Sequence, residues 1–185
     1  MRKLLMLAVA MAFAVASQAA TFDWSASQVR QGWNDSTLKA DGTAYLFMVG
    51  VNSATEAAVA SAISGATSAS ALATTLSGMA IGTADVTSGG ISGSSSEVTQ
   101  GPPATLFIAV ISSDGYAYQS ATQEVTAYET LGGTTVGFGS QKSATSSASA
   151  WKNVGGGGGG DIPEPTSGLL LLVGAGMLAL RRKQK

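Results

Sequence analysis

The chain has 185 residues, ten Lys and Arg against eleven Asp and Glu, and neither His nor Cys. Without His it lacks the commonest general base and the usual transition-metal ligand, and without Cys it has no thiol nucleophile, zinc-thiolate site or disulfide. The near-neutral total hides an uneven distribution: Arg2 and Lys3 start the chain and Arg181, Arg182, Lys183 and Lys185 end it, while the middle sets Arg30, Lys39, Lys142 and Lys152 against nine acids from Asp23 to Glu129, a formal −5 that disfavours phosphate backbones.

Arg2 and Lys3 precede an apolar run, residues 4–15, and Ser17-Gln18-Ala19 then sets small residues where a signal peptidase reads. This is the pattern of a secretory signal over residues 1–19, with Ser17 and Ala19 at the processing site and Ala20 as the first mature residue. The run is shorter than the roughly 20 apolar residues that a spanning helix needs, which argues against a permanent N-terminal anchor.

Residues 20–154 have the length of one domain, large enough to form a core without disulfide or metal. A strand is expected near residues 21–24. Residues 45–49 and 106–111 are continuous apolar runs rich in aromatic and branched side chains, as expected of central strands buried on both faces. Between them, Ser53-Ala54-Thr55-Glu56 reads as a capping box opening one Ala-rich helix, broken near Gly65. Further strands are expected at residues 79–86, 124–128, 134–138 and 148–152, with residues 89–103 as a loop.

Asp114-Gly115 predicts a two-residue hairpin turn that sets Ile111 opposite Tyr118 and Ala109 opposite Ser120. The expected fold is mainly β, a single β-sandwich or an open antiparallel sheet with one Ala-rich helix.

Within this body, Trp24, Trp33, Trp151, Tyr116 and Tyr118, with Tyr128, are candidates for stacking on sugar rings, although aromatics in a small β domain more commonly serve as packing. Asp114, Glu124 and Glu129 are the carboxylates from which a glycan-cleaving pair would be drawn, but Asp114 is more simply a turn residue. No Asp-x-Asp calcium loop and no phosphate-loop lysine occur, so no metal, cofactor or nucleic-acid partner is expected. Asn34-Asp35-Ser36 has the pattern of a glycosylation acceptor and equally of a polar turn, and the Ser/Thr-rich stretches 67–75 and 143–149 would suit O-linked sugar.

The end of the chain has a different character. Six glycines, residues 155–160, open a linker of residues 155–162, flexible by composition. Pro163-Glu164-Pro165 follows, where two prolines restrict the backbone and remove amide donors, giving an extended peptide that a protease can hold. Residues 168–180 are apolar on every face and are followed at once by Arg181 and Arg182. Thirteen residues rise roughly 20 Å against a hydrocarbon core of about 30 Å, so this would be a weak transmembrane anchor whose basic end stays cytoplasmic.

In its order of Pro163-Glu164-Pro165, short span and Arg181-Arg182, the tail resembles the PEP-CTERM sorting signal of Gram-negative bacteria. That resemblance, which begins at Ile162, covers only about the last 24 residues. It implies an exosortase-type protease as processing partner, transient anchoring in the inner membrane with the body periplasmic, and a mature protein at the cell surface or beyond it, accompanying exopolysaccharide. The resulting expectation is a non-catalytic surface or matrix protein, with a carbohydrate-binding module and a glycan-active enzyme as the competing readings.

Overall fold

The computed structural model describes residues 19–128, 133–142 and 148–155. In chain order these form strands β1 (Thr21–Ser27), β2 (Arg30–Gln31), β3 (Asp35–Lys39) and β4 (Gly42–Met48), then helices α1 (Glu56–Gly65) and α2 (Ala69–Met79). Strands β5 (Gly82–Thr87), β6 (Gly90–Ser94), β7 (Ala104–Ser112), β8 (Tyr116–Gln119), β9 (Gln123–Val125), β10 (Gly133–Ser140) and β11 (Lys152–Asn153) follow.

One nine-stranded sheet runs β10-β1-β6-β5-β4-β7-β8-β11, with β9 also paired to β7, and β2 with β3 makes a separate ribbon. The pairings are antiparallel except β1 with β10, which is parallel. The sheet is therefore open and mixed, not a sandwich of two sheets. It curls on itself, so that Phe22 and Trp24 of β1, Leu46 of β4, Ile108 of β7, Tyr118 of β8 and Val136 of β10 meet in one core on its inner face.

The two continuous apolar runs lie where their composition predicts. β4 and β7 pair over seven residues and are buried on both faces, because the curl covers one side and the helices the other. On the helical side Phe47 and Phe107 are direct cross-strand partners whose rings stack at 5.0 Å. Val59, Ile63, Leu72 and Leu76 pack into the same cluster.

The helical region corrects the expectation of a single helix opened by Ser53. Thr55 is the cap: its side chain accepts from the Ala58 amide at 3.0 Å, with Glu56 in the first turn beside the positive end of the helix. Ser53 instead has φ +60. A second cap, Ser68, accepts from the Ala71 amide and starts a new helix, so the break near Gly65 separates two helices.

The hairpin after β7 also differs from its predicted register. Ile111 faces Ala117 and Val110 faces Tyr118, one residue away from the two-residue-loop pairing. The Gly115 amide donates to Ser112 O at 3.1 Å and Gly115 has φ +80, a type I turn followed by a left-handed glycine. The one extra loop residue moves Tyr118 to the inner face with Val110, since a one-residue slip exchanges the faces of a strand.

Residues 89–103 are not simply a loop: β6 lies in them, joined to β5 by a Ser88-Gly89 turn in which both residues have positive φ. Met79 closes α2, so β5 starts only at Gly82, and residues 148–150 form a single 3-10 turn before the short β11.

Candidate functional site

Among the sugar-stacking candidates, Trp24 is 1% exposed, Tyr118 4% and Trp151 4%. Rings so covered offer no face to a ligand, which removes these three as stacking residues. Trp24 lies under Gly93 and Gly82, where an added Cβ would approach its Nε1 at 3.1 and 3.4 Å. Its indole N–H has no hydrogen-bond partner among the described residues.

Four of the aromatics nevertheless converge. Trp33, in the turn between β2 and β3, stacks on Tyr116 at 5.0 Å and 13°, and meets Trp151 edge-on at 4.4 Å; Tyr118 tilts against Trp151 at 5.6 Å. Trp33 and Tyr116 are half-buried. The cluster packs the β2-β3 ribbon against the β8 end of the sheet. The Tyr118 hydroxyl donates to Gln141 Oε1 at 3.1 Å, and Gln141 Nε2 donates to Phe138 O at 2.7 Å, linking β8 to the far edge strand β10 across the unclosed seam. Burial pushes the Tyr118 hydroxyl up to about 12. Tyr128 sits elsewhere, edge-on to Phe22 at 5.0 Å, with its hydroxyl donating to Gln100 O.

The two described candidate carboxylates, Asp114 and Glu124, do not pair. Asp114 lies in the loop beyond Ser112, and Glu124 faces Thr105 at the other end of β7. Seven residues of strand separate those ends, roughly 23 Å, against the 5–10 Å or so that a glycosidase pair requires. Glu129 lies outside the described residues. Among the described residues no group of three acids is arranged to hold a metal ion. In Asn34-Asp35-Ser36 the turn reading has direct support: Asp35 accepts from both the amide and the hydroxyl of Thr37, at 2.8 and 2.6 Å, and these bonds hold its carboxyl below the usual range.

A feature that residue types alone did not suggest is the outer face of β10, β1, β6 and β5. Thr135, Asp23 and Ser94 form one row across three strands and Gly137, Ser25 and Ser92 the next, all exposed. Thr83 and Asp85 continue the exposed face on β5. Within the first row Ser94 Oγ donates to Asp23 Oδ1 at 2.6 Å. The alternation iBeBeBe along β1 was the available signal: every second residue from Phe22 to Ala26 is apolar and the rest are small and polar.

The sorting residues Pro163, Glu164, Pro165, Arg181 and Arg182, the expected span 168–180, and Ser17 lie outside the described residues. Ala19 is the first described residue, and Ala20 already exchanges two backbone bonds of 2.8 Å with Val98. No helix among the described residues is long and apolar enough to cross a membrane.

Comparison with known families decides the reading of the tail. Residues 161–184 match the PEP-CTERM protein-sorting motif. The PEP-CTERM tail implies export, an anchored precursor and processing by exosortase. The match leaves the body, residues 20–154, unassigned. No curated protein and no solved structure matches the chain.

Proposed function

We propose that this chain is a non-catalytic surface or matrix protein, delivered by its PEP-CTERM tail, released at the cell surface and retained with exopolysaccharide. The match at residues 161–184 carries this reading. Support for a role in a hydrated polymer comes from the body's outer face, where Thr135, Ser25, Ser92 and Ser94 present hydroxyls on neighbouring strands about 4.8 Å apart. The body's lack of His and Cys supports the word non-catalytic.

The test is fractionation of cells expressing the chain. The body is expected in the exopolysaccharide fraction, and Glu164→Ala with Pro165→Ala is expected to hold it in the membrane fraction. Equal distribution of the two forms would refute delivery by the tail.

One observation favours a second reading, a carbohydrate-binding surface: Trp33 and Tyr116 stay half-buried and side by side. Under that reading Trp33→Ala abolishes retention on purified polysaccharide; under the matrix reading retention survives it and falls when the hydroxyls of the outer face are removed.

A further inference from the structure

The junction between body and tail is built into the fold. Lys152 and Asn153 pair with Ala117 and Tyr116 at the outer edge of β8. Val154 is fully buried in the helical core cluster, and its amide donates to Gly115 O at 3.0 Å. Gly155, the first of the six glycines, has φ +64, and its carbonyl accepts from the Ala69 amide at 2.8 Å. Ala69 opens α2, so this carbonyl satisfies one of the helix's otherwise unpaired first-turn donors. Asn153 Oδ1 accepts from the Gly155 amide at 3.0 Å. A Cβ at Gly155 would stand 2.5 Å from Thr67 O. Position 155 therefore requires glycine for its backbone conformation and for close approach, whatever the composition of the run that follows.

From Gly155 the chain has eight residues to Pro163, a reach of at most about 29 Å. That is less than the width of a body this size, roughly 35 Å. The anchor point is the junction where the start of α2, the turn after β7 and β11 meet.

We propose that Lys152, Asn153, Val154 and Gly155 form a latch that positions the sorting motif: it keeps Pro163-Glu164-Pro165 within that reach of this junction, so the processing protease meets motif and junction together. This rests on the sorting reading above. Val154 and Gly155 are positioning residues in this scheme. Releasing the four residues back to the buried Trp151 would lengthen the tether by about 14 Å, half as much again.

The latch is tested first without the protease, on the full-length precursor in detergent micelles. Trypsin is expected to cut slowly after Lys152 in the natural chain and roughly tenfold faster in Gly155→Ala, because the left-handed backbone no longer suits the residue. Val154→Ser is expected to act likewise, and Gly158→Ala, in the same run beyond the latch, to change nothing. Global melting should stay within about 3 °C for Gly155→Ala, separating release of the latch from loss of fold.

In cells, intact mass should show one processed C-terminus for the natural chain and for Gly158→Ala, and a several-fold loss of that product for Gly155→Ala and Val154→Ser. Cutting after Lys152 at equal rates in the natural chain and Gly155→Ala overturns the latch. Protection in micelles with unchanged processing of the variants overturns the positioning role and leaves the sorting reading intact. A natural chain that keeps its C-terminus in cells overturns the sorting reading, and the positioning role with it.

Discussion

The two halves of the curled sheet differ in what covers them. β4 and β7 are enclosed, with the curl on one face and α1 and α2 on the other, and their side chains are large and apolar on both. β1, β6 and β10 bury one face only and turn Gly, Ser, Thr and Asp outward. The comparison teaches that stability and surface are assigned to different strands of one sheet: the covered half holds the fold, and the uncovered half is free to carry small, polar side chains.

Substitution should break this contrast most strongly in the covered half. Phe107→Ala removes the ring stacked on Phe47 and leaves a cavity under the helices, at an expected cost of about 3–5 kcal/mol in urea unfolding. In the other half the sensitive site is beneath the surface. Gly93→Ala would press a methyl to 2.7 Å from Ala84 Cβ and 3.1 Å from Trp24 Nε1, and about 1–3 kcal/mol is expected. A gain in stability there would show that the glycine is not held by packing.

The seam between the ends of the sheet gives an alkaline signature. Tyr118 keeps its proton to about 12 in the folded chain and loses it near 10 in the unfolded one. Between those values the folded state binds more protons, so stability falls as pH rises, and is unaffected by this group below about 10. Burial raises Tyr45 and Tyr128 as well, so Tyr118→Phe should flatten the alkaline limb of a melting-temperature profile without abolishing it. Smaller again is Ser68→Ala, which removes the cap of α2 and should cost about 1 kcal/mol. Smallest is Ser92→Ala on the outer face, expected within about 0.5 kcal/mol; a larger loss would mean that this face also holds the fold together.

The same contrast explains what the sequence disclosed. β4 and β7 were legible because strands buried twice must be apolar throughout, and no exposed helix shares that pattern. β6 was not, since Gly90 to Ser94 contains a single large apolar residue, Ile91; its clue was the Ser88-Gly89 turn, a weaker signal than Asn-Gly. The slip after β7 came from a turn whose residues suit both two- and three-residue loops, and only cross-strand packing of Tyr118 chooses between them. β2 and β3 escaped notice because their ribbon is held by Trp33 stacking on Tyr116, a contact more than eighty residues distant in the chain. The tail was the most legible region, because its motif is a short run of consecutive residues that the sequence spells out directly.

Delivery by that tail is the claim on which the functional account depends, and intact-mass analysis of the protein recovered from its own cells tests it most directly. Two losses are expected, one ending at Ala19 and one close to Pro163-Glu164-Pro165. A recovered chain that still carries Arg181 to Lys185 would contradict the account.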